Sequence, residues 1–463
     1  MLTSRHLALA AGCAAVTLLT TPALAQRPPA PTPLQRQHQT VADRIIDRAL
    51  ADSAAWDRIA ELTDRFGPRF SGTETLERAI DWVMEKMRAD GLENIRGEPV
   101  MVPRWVRGEE SAEMLSPRWA KLPMLGLGGS IGTPPGGIIA EVLVVGSFEE
   151  LTTRAGEARG KIVLFDVPFT SYGATVQYRV NGAVEAAKAG AVASMIRSVG
   201  PFGMQTPHTG GMRYDPAVPA IPHFAITMED AMMLHRMQRR GERITVRVQM
   251  AAQTLPDVES RNVIGEIVGR EHPEEVVVIG GHIDSWDVGT GAMDDAGGVV
   301  VAWEAVRLLH ELGLRPRRTI RVVGWTNEEN GLRGGTAYRD QHRQQLGNHV
   351  IAIESDGGVF HPTGFGFTGS DEARAIVRQI GGLLRRVEAD SIRASGGGAD
   401  IGPIMAEGVP GMSHNVDGTR YFWYHHTHAD TVDKLDPREV AMNVAAIAVM
   451  AYLIAEIPER LPR

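Results

Sequence analysis

Cysteine is nearly missing from the 463 residues: Cys13 is the only one. It sits in an N-terminal stretch expected to be cleaved, so the mature chain has no disulfide, no thiol nucleophile and no thiolate metal ligand. The sequence also lacks any Asn-x-Ser/Thr sequon, so no N-glycosylation is expected. Positive charge is in deficit, with 48 Lys and Arg against 56 Asp and Glu, a net charge of −8. That leaves no broad electrostatic footprint for nucleic acid, and none is expected as a partner. Uninterrupted apolar runs are short. Leu7 to Thr21 falls below the roughly 20 residues a spanning helix needs, as does the apolar segment Asn443 to Ile457, which is expected as a packed core helix. Glycine (51) and proline (27) are plentiful and favour many turns and an α/β or α+β layout. With 43% hydrophobic and 22% charged residues, the chain has the balance of a soluble globular protein. Its length suggests two or three folding units.

The N-terminus reads as an export signal over residues 1–25. Arg5 and His6 form a polar start, an Ala/Leu-rich stretch follows, and Ala23-Leu24-Ala25 is a cleavage site with Gln26 the first mature residue. A periplasmic or secreted location with no membrane span after cleavage is therefore expected. Residues 26–40 form a Pro-rich leader, with four prolines between Gln26 and Pro33 that argue against a helix there. Helical spacing starts at Val41 and continues through Trp56 and Leu62. Ser71 and Glu74 look like a capping box for the next helix. Residues 41–124 are assigned to one part of a main domain, 125–252 to an inserted α+β unit opening on the Gly/Pro-rich run after Leu125, and 253–463 to the rest of the main domain. The middle unit shows no nucleophile, phosphate loop or metal cluster. From Asn262 onward strands and helices alternate, which predicts a sheet covered on both faces.

Five segments carry the chemistry: GGHIDSW around His282, GAMDDAGG around Asp294, TNEENG around Glu328, ESDGG around Asp356, and YHHTHADT from Tyr424. Four of them follow a predicted strand, where open α/β sheets collect ligands. The converging groups are imidazoles and carboxylates without sulfur, a donor set suited to Zn²⁺, Co²⁺ or Mn²⁺. Two cations held ~3.5–4 Å apart need a shared anionic ligand, and an Asp at a Gly-flanked turn can supply one. His282 and Asp284 stand at i and i+2, so the Asp284 carboxylate can take the second ring N–H of His282. The adjacent pair Glu328 and Glu329 would repel each other without a cation nearby. Glu329 can ligate while Glu328 takes a proton from a bridging water. In isolation the pair could equally open a solvated acidic helix, and the three histidines of the last segment could be a polar loop. Asp430, like Asp284, can orient a ligating histidine.

This ordered set resembles the co-catalytic zinc exopeptidase family, which includes leucyl aminopeptidases and glutamate carboxypeptidases. The stretches GPRFSGTETLERAIDW, AVPAIPHFAITMEDAMML and FTGSDEARAI extend the likeness to the plasma glutamate carboxypeptidase branch and over most of the mature chain. The resemblance implies a mixed sheet sandwiched by helices, with the middle unit a protease-associated domain. It implies two Zn²⁺ per chain, with Co²⁺ or Mn²⁺ as substitutes. His282 and Asp356 would hold one metal, Glu329 and His426 the other, and Asp294 would bridge them, followed by a cis peptide to Asp295. The T-x-x-D sequence after it selects His426 over His425 and His428. Glu328 matches the general base. Asp400 and Tyr424 fall near the expected pocket. The family also implies a homodimer and dipeptide or short-peptide substrates. Three alternatives stay open: an aminopeptidase on longer peptides, a non-catalytic binding or receptor-like protein, and a glutaminyl cyclase.

Overall fold

A computed structural model describes residues 30–463. The expected signal, Cys13 and the first residues of the leader lie outside the described residues. The last part of the leader does not behave as expected, because the first helix runs Pro33–Leu50 rather than from Val41. Pro33 occupies the first helical turn, where a missing N–H leaves nothing unpaired. Thr32 caps the helix in a reciprocal box with Gln35. The helix Glu74–Ala89 is likewise capped by Thr73, whose Oγ1 accepts from the Leu76 N–H, and not by Ser71.

The larger of two sheets has eight strands. Its centre is four parallel strands in the order Arg318–Trp325, His272–His282, His349–Glu354 and Gly411–Val416. Antiparallel strands flank them, including the long pair Glu93–Val106 and Gln253–Ile267. Both faces are buried, and the period-two alternation of side chains decides which face each residue joins. Val277 and Ile279 pack with Val300, Trp303, Ile45 and the helix Pro437–Glu456. Val276 and Val278 pack on the other side with Trp325, Tyr338 and Ile404. This is the mixed α/β sheet with helices on both faces that the strand–helix alternation implies. At 20 residues, Pro437–Glu456 is longer than the expected segment, and it is long and apolar enough to cross a membrane. Length therefore does not decide its role. Its most apolar window is 89% buried inside the fold, which accounts for its composition.

A second eight-stranded sheet belongs to the middle of the chain. Its boundary differs from the expected residue 125: strands Glu110–Ser116 and Ala120–Leu122 already pair within it, the first against Thr245–Met250. The Gly/Pro-rich run after Leu125 is a set of turns internal to this unit, so composition marked turns and not a domain crossing. The helix Tyr172–Lys188 covers one face through Ala183 and Ala186 against Leu143, Val163 and Phe165. Its N-terminal half faces the larger sheet's carboxyl edge, where Tyr172 stacks on Phe422 at 5.0 Å.

Candidate metal centre

The parallel strands end in register, with His282 opposite Trp325 and Gly280 opposite Glu354. His282 closes one strand, Glu328 and Glu329 follow the next, and Asp356 follows the third. Asp294 sits on the turn Ala292–Ala296 before the helix Gly297–Glu311. The Asp294–Asp295 peptide is cis, as the resemblance implied. The helix start approaches the strand ends so closely that a Cβ on Gly298 would lie 1.9 Å from the Ser355 carbonyl oxygen. Gly298→Ala is expected to lower stability by about 1–3 kcal/mol through overpacking and to weaken metal binding, read by thermal unfolding with and without Zn²⁺.

Asp294 divides its carboxylate between two donor sets. Oδ1 lies 3.1 Å from His282 Nε2, which is also 3.4 Å from Asp356 Oδ1. Oδ2 lies 3.3 Å from His426 Nε2, which is 3.0 Å from Glu329 Oε2. His426 reaches this position with φ at 60°, in the left-handed region that few non-glycine residues occupy. His425 stacks on it at 3.5 Å between ring centroids, with its Nε2 3.6 Å from Asp294 Oδ2.

The charges do not balance without a cation. Burial pushes the Glu328 carboxyl well above its ordinary range, helped by Asp356, Glu329 and Asp294. Burial and Asp294 push Glu329 up to about 7. Asp294 runs the other way: burial opposes ionisation, but the imidazoles of His282 and His426 beside it hold it well below its ordinary range. Burial works against charge on His426 too, yet Glu329 and Asp294 raise it to about 9. Asp294 Oδ2 and Glu329 Oε1 are buried without a hydrogen-bond partner, and groups of three donors here lie within 4.8 Å of one another. A nitrogen and oxygen set of this kind fits zinc.

The neighbouring acids act on the backbone, in a different way from that expected. The second ring nitrogen of His282 meets the carbonyl oxygen of Asp284 at 2.9 Å, while the Asp284 carboxylate is 3.8 Å away. That carboxylate accepts from the Glu328 and Glu329 N–H groups and the Ser71 hydroxyl. Asp430 accepts from the Met293 and Asp294 N–H groups at 2.7 and 3.1 Å, and so holds the Asp294 turn instead of a histidine. Asp295, beside Asp294, spends its oxygens on the His282 and Gly298 N–H groups. Under this layer Arg69 is fully buried and donates to the carbonyls of Gly67, Ile283, Thr290 and Gly291, pinning the connection between His282 and Asp294.

The sequence profile of Peptidase family M28 matches residues 262–451. Carboxypeptidase Q of Mus musculus is 49% identical over 92% of this chain and 91% of its own length, and that of Bos taurus 50% identical over 91% and 90%. This chain belongs to peptidase family M28. The crystal structure of a peptidase M28 precursor from Shewanella amazonensis SB2B superposes with a TM-score of 0.90 at 36% identity, covering 93% of this chain and 99% of that one. As a family M28 member the chain is a zinc metallopeptidase, and the groups of donors described above could hold a metal ion.

The pocket of this M28 peptidase has a volume of about 310 Å³ and is open above Asp294, Glu328, Glu329 and Asp356. Its walls include Tyr421, Phe422 and His425, and also Tyr172 and Arg179 from the second unit. Two expected pocket residues are placed elsewhere. Tyr424 is not on its wall; its carbonyl caps Thr427 and its ring lies 5.9 Å from the Lys434 ammonium. Asp400 is fully buried with both carboxylate oxygens unpartnered, and burial with the nearby Glu354 pushes its carboxyl well up. It lies buried behind the strand ends and is not a wall residue.

Arg179 escaped sequence reasoning altogether. It is buried, and among the described residues no carboxylate lies within 4.0 Å of it. Its guanidinium donates to the Tyr172 hydroxyl at 2.8 Å and to the Gly211 and Thr209 carbonyls at 3.3 and 3.4 Å. Gly210, with φ at 135°, makes the room: a Cβ there would lie 2.3 Å from the guanidinium carbon. Arg179 belongs to no motif in the sequence; it stands between Tyr178 and Val180 in the helix Tyr172–Lys188. Thr209 also donates its N–H to the His426 carbonyl at 2.9 Å, so the second unit braces the metal-site loop directly.

Proposed function

We propose that this chain is an exported exopeptidase that cleaves dipeptides or short peptides bearing a free carboxyl terminus. The observation that carries the reading is Arg179: a buried guanidinium without an acidic partner, opening into the pocket that also holds the metal donors. A buried positive charge favours a partner that can neutralise it, and a substrate carboxylate fits its planar donors. The relatives named Carboxypeptidase Q support the same direction.

In this reading His282, Asp356 and Asp294 would hold one zinc, and Glu329 and His426, with Asp294, would hold a second. When bound, the pair supplies Lewis acidity toward the scissile carbonyl and makes water acidic near neutral pH. Glu328, on the pocket wall, accepts the proton of the attacking water and returns it to the leaving amine. Asp284 fixes the backbone beneath Glu328, and Asp430 fixes the turn beneath Asp294. The second unit serves as a protease-associated domain that supplies Arg179 and Tyr172. Export of the mature chain and a homodimeric assembly complete the proposal, and both rest on the sequence signals and the family likeness.

Metal analysis by mass spectrometry with paired assays tests the centre. About two zinc per chain is expected, with dipeptide hydrolysis abolished by chelation and restored by added Zn²⁺. Near-zero metal in zinc-replete protein, with no hydrolysis, would sink the proposal and favour a binding protein.

A further inference from the structure

Among the described residues the Glu328 carboxylate accepts no hydrogen bond, while the Glu328 N–H donates to Asp284 at 3.1 Å. The direction of this side chain is therefore set by the backbone that carries it. That backbone is a tight turn between the strand Arg318–Trp325 and the helix Arg333–Gln341. Asn262 ties the two ends of the turn together: its side chain accepts from the Thr326 N–H and donates to the Gly334 carbonyl, both at 3.0 Å. Within the turn Asn327 and Leu332 have φ of 66° and 55°, and the Leu332 N–H closes on the Asn327 carbonyl at 2.6 Å.

The Asn327 side chain fills this turn from inside and is fully buried. Its Oδ1 accepts from the Arg333 N–H at 3.3 Å. Its Nδ2 donates to Asn330 Oδ1 and, at 3.1 Å, to Ser71 Oγ. Position 331 has to be glycine beside it, because a Cβ there would collide with Asn327 Oδ1. Ser71 belongs to the distant segment ahead of the helix Glu74–Ala89, and its hydroxyl donates to Asp284 Oδ2 at 3.2 Å. Asp284 in turn accepts from the Glu328 and Glu329 N–H groups. A chain of hydrogen bonds thus leaves Asn327, passes through Ser71 and Asp284, and returns to the two residues that follow Asn327. Asn327 itself is not on the pocket wall.

We infer that Asn327 is a positioning residue: through Ser71 and Asp284 it fixes the direction of Glu328 and Glu329. The inference rests on the roles proposed above for those two glutamates. A carboxylate aimed only by its backbone is sensitive to that backbone, and a displacement of ~1 Å at a reacting group can cost ~100-fold in rate. The competing explanation is conformational. Asparagine tolerates positive φ better than most residues, and that alone would place it here without any role for its amide.

Asn327→Gly separates the two explanations, because glycine adopts positive φ freely and removes only the hydrogen bonds. In full-length, zinc-loaded protein this variant is expected to lower kcat for Ala-Ala ~10–100-fold with KM little changed. Wild-type kcat would show that the backbone conformation is all that matters and overturns the inference. A rise in KM as large as the fall in kcat would show general loosening of the pocket and overturns it too. Ser71→Ala cuts the same chain from another segment, and carries the test if Asn327→Gly fails to fold in thermal unfolding. It should reproduce the kcat loss, and the double variant should be no slower than either single one. Additive losses would mean independent supports and count against the inference. Zinc affinity, read by competition with a chromophoric chelator, needs no turnover. It should weaken ~10–100-fold in Asn327→Gly, as for other groups that orient metal ligands, since Glu329 shares the turn. Equal affinity in both proteins overturns the inference whatever kcat does. If the wild type binds zinc but cleaves no peptide, the exopeptidase reading fails, and weaker zinc binding in the variant still supports the positioning role.

Discussion

Glu328→Gln is expected to lower kcat by ~10²–10⁴-fold, the range removed when a positioned general base is lost, while zinc content stays at the wild-type level. The reasoning is local. Glu328 makes no hydrogen bond to the other donors, whereas Asp294, Glu329, His282, Asp356 and His426 interlock at 3.0–3.4 Å. Removing one charge from a crowded acid cluster relieves repulsion, so the amide is not expected to unfold the site. KM should change little, because the loss falls on the transition state and not on the bound ground state. Wild-type turnover in the variant, with full zinc, would show that another group takes the proton. Turnover and zinc lost together would make Glu328 a ligand instead.

Arg179→Gln should raise KM for Ala-Ala by ~30-fold or more. The basis is the ~2–5 kcal/mol typical of truncating one partner of a desolvated, hydrogen-bonded charge pair. The amidated dipeptide has no carboxylate to lose and should be hydrolysed equally poorly by both proteins. Arg179→Lys keeps the charge but not the two-pronged donor geometry, so it should recover part of the difference. The comparison of free and amidated substrates separates recognition from a merely structural effect, which would damage both alike. If the wild type cleaves the amide as well as the acid, Arg179 is not the anchor, and an aminopeptidase on longer peptides becomes the better description.

Four of the five candidate metal donors could be read from the sequence because each follows a buried strand or opens a helix at a glycine-flanked turn, whereas His426 follows the short helical turn Tyr421–Tyr424. Strand ends in a parallel sheet converge whatever their separation along the chain, so the line of text carried the geometry. The supporting acids were harder. An H-x-D pair in extended backbone puts both side chains on one side, but the chain turns away after Ile283, and the Asp284 carbonyl arrives at the ring before its carboxylate does. The arginine anchor was invisible for another reason. It lies over a hundred residues from the donors, in a unit whose own residues form no motif, and only the packing of that unit against the Tyr421–Tyr424 segment brings it to the pocket. Composition misled at the two boundaries already noted, since proline tolerates the first turn of a helix and glycine-rich turns occur inside domains as well as between them.

The long ribbon formed by Glu93–Val106 and Gln253–Ile267 has a consequence for how the chain acquires its shape. Val106 pairs with Gln253, so the second unit leaves and rejoins the main sheet at adjacent points. Along the chain the outgoing arm comes first, then the whole second sheet, and only afterwards the returning arm and the four central strands. The second unit therefore has its complete set of partners while the first half of the ribbon is still an unpaired edge, exposed to the wrong neighbours. Folding of the inserted unit draws the two arms together and shortens the loop that the ribbon must close. The same segment that later presents an arginine to the pocket thus first acts as the clasp that starts the enzyme's sheet.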